Sequence, residues 1–384
     1  MNPYKIFFFS YAKKENAVEE KRLVLLKKGL KHLNFDTGIK LIICNNHKNN
    51  KLKKKFLNFN FIFIRFLNSY FSSIIDIFKS KKHFQPIVYM NIKNSIFFSV
   101  SVLIFKILKI KVFAEKGETL EVPFFLKKFE KVKAYFSSFL VKRFIYFCNI
   151  VYCTTDKLCD EISFFNNNVK KLPYAIVDYN CYSNYKKSYF FRKYKFQYIC
   201  YAGNLVEEHN GAFSLLEAFS YLNKTEKNIF LVFIGAKSHA NYKNLLKRCK
   251  ELMVEKKVVF TNFLREENLK KFYHNATILA ALKPYNKRNT KNFPGKLSDY
   301  LSTGNPVIST SVGSIPKILK NKESAFLVDK FTIYNIAETL KFILQNEDFA
   351  KKVGKVGQSI AKNEFDIKVV ANKLITHINV LHER

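Results

Sequence analysis

The sequence predicts an α/β protein of two domains, each a parallel sheet covered by helices. Its 384 residues exceed one ordinary core and suit two domains of roughly 150 to 200 residues. Its composition is globular, with 48% hydrophobic and 25% charged residues. Short apolar runs alternate with longer amphipathic segments along the whole chain, a pattern typical of helices that cover a parallel sheet.

In the first half, six short apolar runs predict strands, with helices between them, as at residues 15–33. The strands are expected at residues 5–9, 41–44, 59–65, 87–89, 111–114 and 150–153. A polar, low-complexity stretch over residues 178–192 then breaks the pattern. We interpret that stretch as a linker.

A second α/β series follows the linker. Strands are expected at residues 198–202, 229–234, 258–261, 277–282 and 307–309, and helices at 211–222, 242–255, 266–274, 296–301 and 332–344. We therefore predict an N-terminal domain over residues 1–190 and a C-terminal domain over residues 195–365. A last helix within 366–384 is placed to pack back on the N-terminal domain.

Charge is the first unusual property of the composition. The chain has 66 Lys and Arg against 30 Asp and Glu, a net charge of +36. Residues 1–200 hold 37 basic and 13 acidic side chains, so most of the excess lies in the first half. An AT-rich genome would raise the lysine content everywhere and does not explain this asymmetry. The N-terminal half is therefore expected to meet an anionic partner.

The cysteines and apolar runs predict a cytoplasmic protein. The seven cysteines form no C-x-x-C pair and no metal-ligand spacing, so we expect reduced thiols and no metal. The most apolar run, residues 95–105, is short of the roughly 20 residues that a spanning helix needs. The apolar run at residues 6–9 is too short for a signal peptide and indicates a first strand.

The strongest functional signal lies in N-F-P-G-K-L-S-D-Y-L-S-T-G-N-P-V-I-S-T-S-V-G, which begins at Asn292. Its Pro-Gly pair predicts a helix start, where the first N–H groups, at Gly295, Lys296 and Leu297, favour a phosphate. Asp299 lies one turn further on the same face and could accept hydrogen bonds from ribose hydroxyls. The competing interpretation is a surface acid paired with Lys296.

Two strand ends in the second half carry glycines. Gly203, followed by Asn204, ends one predicted strand, and Gly235 ends the next. Open parallel sheets bind ligands outside the carboxyl ends of their strands, so both positions are candidates for contact with a nucleotide. Taken alone, each glycine is more often only a turn residue.

These blocks resemble the family 4 retaining glycosyltransferases of the GT-B fold. F-P-G-K-L-S-D-Y-L-S-T-G-N-P-V-I is similar to the family's donor-site block, and Y-A-G-N-L-V-E-E-H-N-G-A to its phosphate loop. The resemblance covers the second half and, loosely, residues 112–178. It implies two Rossmann-like domains that face each other across a cleft, and a nucleoside diphosphate sugar as donor substrate, with no further cofactor and no metal in the site. It also implies retention of the anomeric configuration.

The chain departs from the family pattern in its acids. The family's paired Glu residues, eight positions apart, correspond to Lys291 and Asp299. The first acid ordinarily touches the donated sugar, so its loss bears on sugar identity and activity. Where the family often has a histidine in the cleft, this chain has Glu115, followed by Glu118. We expect both as acceptor-side catalytic acids, although Lys116 between them also suits a solvated loop.

The chain departs from the family in its cations as well. The family's Arg and Lys after the phosphate-loop glycine are replaced by Asn204 and by His209 or Asn210. Neutralisation of the pyrophosphate is then expected from Lys237, Lys283 or Lys296.

Together these observations predict a glycosyltransferase that moves a hexose-type sugar to a glycan or lipid-linked acceptor in bacterial surface polysaccharide assembly. Phe and Tyr interleaved with Lys along residues 51–82 and 124–146 predict peripheral contact with the anionic inner face of the cytoplasmic membrane. A sugar-nucleotide epimerase or hydrolase of the same fold is one alternative. A non-catalytic, nucleic-acid-binding protein is another, but it leaves the donor-site block unexplained, so we expect no nucleic acid partner.

Overall fold

The computed structural model describes residues 4–12, 18–35, 37–43, 69–92, 96–117, 128–173, 175–183, 197–226 and 228–380. The chain forms two compact units, the first from Met1–Pro173 with Ile367–Arg384 and the second from Tyr174–Asp366. Each unit contains one six-stranded parallel sheet with helices, which confirms the predicted α/β class.

The first sheet has the strand order β2-β1-β3-β4-β5-β6. Its strands are β1 (Tyr4–Ala12), β2 (Thr37–Ile43), β3 (Gln85–Asn91), β4 (Lys111–Lys116), β5 (Ile150–Cys153) and β6 (Val169–Lys171). The central strands are buried almost along their whole length. This burial follows from near-continuous apolar runs, which suit strands covered on both faces.

Five helices connect these strands. They are α1 (Val18–His32), α2 (residues 69–79), α3 (Ile96–Ile107), α4 (Lys128–Ile145) and α5 (Asp156–Ser163). One apolar core joins the sheet to buried side chains of α2, α3, α4 and α5. Helices α2 to α5 therefore form a layer on the same face of the first sheet.

The second sheet has the strand order β12-β11-β10-β7-β8-β9. Its strands are β7 (Gln197–Ala202), β8 (Ile229–Ile234), β9 (Val258–Phe260), β10 (Ile278–Ala281), β11 (Val307–Thr310) and β12 (Phe326–Val328). The strand order reverses between β7 and β10, because β8 and β9 extend the sheet to one side and β11 and β12 to the other. Such a reversal opens a ligand crevice at the carboxyl ends of the two strands.

Short and long helices cover both faces of the second sheet. They are α6 (Asn180–Ser183), α7 (Glu207–Asn210), α8 (Ala212–Thr225), α9 (Tyr242–Glu251), α10 (Glu266–Asn275), α11 (Lys296–Ser302), α12 (Ile315–Ile318), α13 (Ile333–Gln345) and α14 (Glu347–Ile360). Two apolar cores, one on each face, hold the helices to the strands.

The last helix, α15 (Ile367–Val380), belongs to the first unit and packs against α1. The two backbones approach closely at Gly29, where a Cβ atom would lie 2.2 Å from the carbonyl oxygen of Ile367. Only a residue without a side chain fits that crossing.

The structure differs from the sequence expectations at several elements. Strand β2 begins four residues earlier than predicted, and the short edge strands β6 and β12 were not predicted. The strand predicted at residues 59–65 lies outside the described residues. Residues 178–183, expected to open a linker, are instead folded in the second unit, with Tyr182 buried. Across the described residues, no helix has the length and apolar character needed to cross a membrane.

Candidate functional site

The carboxyl ends of β7 and β10 bring together the two segments that the sequence singled out in the second unit. Strand β7 ends at Ala202, and Gly203 follows with φ of +141°, a conformation that favours glycine. Helix α11 lies against this end, because the hydroxyl of Tyr300 accepts a hydrogen bond from the N–H of Ala202 at 2.9 Å. The donor-site block is thereby anchored to the loop after β7.

Lys296 is held at the same strand end. Its Nζ donates to the carbonyl oxygen of Ala202 at 2.9 Å and lies 4.5 Å from the ring centroid of Tyr201. A Cβ atom on Gly203 would lie 3.1 Å from that Nζ. The glycine therefore serves both the backbone conformation and the approach of the ammonium group.

The ammonium of Lys296 is poorly solvated. Desolvation, with a contribution from the positive charge of Lys283, lowers the pKa of Lys296 to about 7. Lys283 follows β10, and its N–H donates to Oγ1 of Thr310 in β11 at 2.7 Å. An anion that enters beside these two lysines would restore the charge of Lys296, so the arrangement suits a phosphate group.

Asp299 is oriented by a tyrosine from outside the donor-site block. Its Oδ1 accepts a hydrogen bond from the hydroxyl of Tyr182 at 2.7 Å. Burial and the neighbouring carboxylate hold the pKa of Tyr182 well above its usual range, so the phenol stays protonated and donates. The ammonium of Lys296 bonds to Ala202 instead, which argues against the simple surface pair weighed from the sequence.

The start of α11 differs from expectation at Leu297. Its N–H donates to the carbonyl oxygen of Pro294 at 3.0 Å, and its side chain is fully buried. Gly295 already has helical dihedral angles, φ of −56° and ψ of −32°, so the first turn closes one residue earlier than the sequence suggested. The N–H of Leu297 is therefore not open to a ligand.

The loop after Gly203 is held by its own hydrogen bonds. Oδ1 of Asn204 accepts from the N–H of Val206 at 2.8 Å, and the carbonyl oxygen of Asn204 accepts from the hydroxyl of Tyr201 at 2.5 Å. Glu207 accepts from the N–H of Phe213 at 2.7 Å and so caps the start of α8. The carboxylate of Glu207 thus occupies a helix start that could otherwise face an anion.

Arg288 is a functional candidate that the sequence analysis missed. Its Nη1 lies 2.9 Å from Nε2 of His209 in α7, one of the positions where the resembled family carries a cation. The side-chain amides of Asn286 and Asn289 donate to the carbonyl oxygen of Glu208 and fix the segment there. The run Y-N-K-R-N-T-K was visible in the sequence, but its contact with α7 was not.

The next strand end holds the remaining donor-side candidates. Gly235 follows β8 with φ of +79°, its N–H donates to Oγ1 of Thr261 at 3.2 Å, and a Cβ atom there would meet no heavy atom within 4 Å. Lys237 lies in a short 3-10 helix and exposes its side chain, while its N–H donates to the carbonyl oxygen of Thr261 at 3.1 Å. The positive φ of the turn therefore explains the glycine at position 235, since no neighbouring atom would crowd a side chain there.

Glu115 is buried in the first unit, with 3% of its side chain exposed. Its Oε1 accepts from Nε of Arg22 at 2.5 Å, and its Oε2 accepts from the hydroxyl of Tyr89 at 2.7 Å. Lys116 is also buried and donates to the carbonyl oxygen of Ile92 at 3.1 Å, so this strand end is not a solvated loop. A catalytic role for Glu115 stays a prediction, and Glu118 lies outside the described residues.

The chemistry of the second unit is that of an anion site with adjacent hydroxyl recognition. Lys296, Lys283 and Arg288 supply positive charge near the ends of β7 and β10, and Asp299 supplies a hydrogen-bond acceptor. Among the described residues, no group of three or more His, Cys, Asp and Glu side chains could hold a metal ion. Such a site, in the second of two parallel α/β units, is typical of a glycosyltransferase of the GT-B fold.

Comparison with known families agrees with this class. Residues 186–359 match the family model described as glycosyl transferases group 1. The matched segment contains all six strands of the second sheet and the whole donor-site block. The chain is therefore a glycosyltransferase, and residues 186–359 are similar to the group 1 glycosyl transferases. No curated protein matches the chain.

Solved structures extend the match in fold to both units. Sucrose-phosphate synthase from Thermosynechococcus elongatus has a TM-score of 0.70 at 12% identity, with 99% of each chain covered. A glycosyltransferase from Rickettsia africae has a TM-score of 0.70 at 16% identity, with 98% of each chain covered. HepE from Anabaena, in complex with UDP and glucose, has a TM-score of 0.68 at 12% identity, covering 98% of this chain and 99% of its own. At these identities the matches establish the GT-B fold.

Proposed function

We propose that this protein transfers a hexose-type sugar from a nucleoside diphosphate sugar to an acceptor, with retention of the anomeric configuration. The observation that carries the proposal is the Lys296 ammonium at the carboxyl end of β7, beside Gly203 and one turn before Asp299. HepE from Anabaena, similar in fold, has been solved with UDP-glucose. UDP-glucose is therefore the first donor to test.

Each donor-side residue has a proposed role in the departure of the diphosphate. Lys296 regains its proton beside the phosphates and stabilises the charge that develops on the leaving group, which is the main catalytic task in this chemistry. Asp299, held by Tyr182, accepts hydrogen bonds from ribose hydroxyls. The backbone at Gly203, Asn204, Gly235 and Gly295 allows the nucleotide to approach, and Lys237 contributes charge from the exposed edge.

We propose Arg288 as the substitute for a cation that the resembled family carries after its phosphate loop. The guanidinium reaches His209, so an arginine from another loop supplies charge where the local sequence has only His209 and Asn210. The contact requires Nε2 of a neutral His209 to accept from Arg288. Arginine also suits phosphate oxygens, because its N–H groups form two parallel hydrogen bonds.

The nature of the acceptor is inferred from the charge of the chain. The excess of basic residues in the first half favours an anionic or lipid-linked acceptor, as in bacterial surface polysaccharide assembly at the inner face of the cytoplasmic membrane. No further cofactor is required, because the donor carries the activated sugar. The donated sugar need not be the one that the resembled family transfers, since Lys291 replaces the first acid of the family pair, which ordinarily touches that sugar.

Calorimetry with UDP and UDP-glucose tests the donor site. Arg288→Gln is expected to weaken UDP binding by about 1–3 kcal/mol, the range for a lost charge-assisted hydrogen bond. Lys243→Gln, an exposed lysine on α9, is the matched control and should leave affinity unchanged. Equal UDP affinity in Arg288→Gln and the native protein would remove Arg288 from the site. Release of free glucose or an epimer without any acceptor would favour the hydrolase or epimerase instead.

A further inference from the structure

The outer surface of helices α3 and α4 is apolar, where a helix that covers a sheet normally presents polar side chains. Val100, Leu103 and Ile107 on α3, with Tyr135, Phe136 and Phe139 on α4, keep 41–69% of their surface exposed. On α3 these residues are spaced three, four and seven positions apart, and on α4 Phe139 lies one turn after the adjacent Tyr135 and Phe136, so each set lies along one side of its helix. These six side chains are called the apolar face below.

Helix α2 extends the apolar face. The hydroxyl of Tyr70 lies 2.8 Å from Oγ of Ser101, which places α2 directly beside α3. Phe71, Ile75 and Phe78 on α2 are also about half exposed. Scattered apolar side chains are ordinary on a protein surface, but a continuous patch across three neighbouring helices marks an interaction site.

A basic edge borders the apolar face. Helices α2, α3 and α4 each lead into a strand of one parallel sheet, so their carboxyl ends lie at the same edge of the layer. Lys79, Lys106, Lys142 and Arg143 stand at these ends. Segments 69–82, 96–109 and 132–147 together hold eight Lys and Arg against one acid.

Apolar and basic groups on this surface are also in contact. The guanidinium of Arg143 lies 5.5 Å from the ring centroid of Phe139, and the ammonium of Lys81 lies 5.9 Å from the ring centroid of Phe78. Lys81 also donates to the carbonyl oxygen of Leu108 at 3.1 Å, which ties the end of α2 to the end of α3. The surface therefore presents rings and cations side by side.

We propose that the apolar face and its basic edge dock on the surface of an anionic lipid bilayer. Aromatic and aliphatic side chains suit the boundary between headgroups and acyl chains, and lysines beside them suit anionic headgroups. A second copy of the chain fits less well, because a symmetric pairing sets this surface against itself, and eight basic side chains with one acid offer no anionic counterpart. The docking is interfacial, since none of the described helices could span the bilayer.

Docking on lipid rests on the proposed function only for its biological role, which is to bring the enzyme to a lipid-linked acceptor. The attachment itself is argued from the first unit and needs no donor. Vesicle binding and donor binding are therefore separate measurements, and one can fail without the other.

Cosedimentation of the full chain with vesicles tests the proposal. We expect the native protein to pellet with vesicles of phosphatidylglycerol and phosphatidylethanolamine, and much less with phosphatidylcholine alone. The triple variant Leu103→Gln, Ile107→Gln and Phe136→Gln should lower the partition constant about tenfold or more, because the lost side chains supply the apolar contact. The double variant Lys79→Glu and Lys106→Glu should lower it by at least roughly fivefold for each lysine, because each substitution removes a positive charge and adds a negative one.

Matched controls lie in the second unit. Met253→Gln, Phe263→Gln and Tyr334→Gln remove three exposed apolar side chains elsewhere, and Lys243→Glu with Lys250→Glu reverses two exposed lysines. Both controls should bind vesicles like the native protein. All variants should keep the native affinity for UDP, which also shows that they are folded.

Three results would overturn the docking surface. The first is native protein that stays in the supernatant with anionic vesicles. The second is a control that loses as much binding as its matched variant. The third is a triple variant that binds lipid normally but loses a dimer seen by light scattering, which would assign the apolar face to a second copy of the chain. Absence of UDP binding in the native protein would instead refute the proposed function and leave the lipid result standing.

Discussion

Replacing Lys296 by methionine is expected to make the protein more stable and its donor site weaker. In the folded protein, desolvation and the neighbouring Lys283 lower the pKa of Lys296 from 10.5 to about 7. The unfolded chain keeps the ordinary value, so between pH 7 and 10.5 it binds more protons than the folded protein. Stability therefore rises with pH across that window, and the cost of Lys296 is complete at and below pH 7.

The size of the stability gain follows from this shift. The full shift would correspond to about 5 kcal/mol, at about 1.4 kcal/mol for each pH unit. The side chain keeps partial access to solvent and retains its contacts with Ala202 and Tyr201, so screening reduces this value. We expect Lys296→Met to raise the free energy of unfolding by about 1–2 kcal/mol at pH 7 and by almost nothing near pH 10.5.

The effect on donor binding has the opposite sign. A bound diphosphate favours the charged amine, so binding takes up a proton above pH 7. The affinity of the native protein for UDP should then fall about tenfold for each pH unit above 7. The methionine variant lacks this charge and should bind UDP about 1–3 kcal/mol more weakly at pH 7.

Urea unfolding and calorimetry at pH 7 and pH 9 measure both effects. Lys296→Arg is the matched control, because arginine stays charged and should show little change in affinity between the two pH values. A methionine variant that is less stable than the native protein at pH 7 would refute the desolvated amine. An affinity for UDP that does not change with pH in the native protein would refute proton uptake by Lys296.

Further predictions concern the groups that hold the site and the fold. Asp299→Ala should weaken UDP binding by about 1–3 kcal/mol. Tyr182→Phe should weaken it by less, because this variant loses only the hydroxyl that orients the Asp299 carboxylate. UDP affinities in calorimetry that equal that of the native protein would contradict this expectation. Glu115→Gln should lower the free energy of unfolding by about 3–5 kcal/mol, since the Arg22 guanidinium would stay buried without the carboxylate that pairs with it. The affinity for UDP should not change. A variant as stable in urea as the native protein would contradict the buried pair. Gly29→Ala should lower the melting temperature by several degrees, because its Cβ would meet a backbone carbonyl of α15, whereas Lys31→Ala, at an exposed position of the same helix, should not.

Much of the fold and part of the site could be predicted from the sequence. Apolar runs such as residues 229–234 and 307–309 predicted strands at the observed places, because a parallel strand that is buried on both faces consists of consecutive apolar residues. The donor-site block and Gly203 were visible for a similar reason, since turns and helix starts depend on a few neighbouring residues. Three-residue strands β6 and β12 were missed, because so short a run carries no periodicity.

The tertiary structure alone decided which groups meet. Tyr182 reaches Asp299 across 117 positions, Arg22 reaches Glu115 across 93, and Arg288 reaches His209 across 79. The sequence placed Tyr182 in a linker and Glu115 at an open strand end. Both are buried, because helices distant in the sequence close over them.

The sequence determined which charged groups the chain contains, but not their protonation states in the folded protein. The sequence established that Lys296 is a lysine at a helix start and that the first half is strongly basic. Only packing placed the Lys296 ammonium beside a carbonyl oxygen, an aromatic ring and a second lysine, where its pKa falls to about 7. Only packing aligned the exposed side chains of α2, α3 and α4 into one surface. Composition and periodicity are properties of neighbouring residues, whereas solvation and pairing depend on segments that only the folded chain brings together.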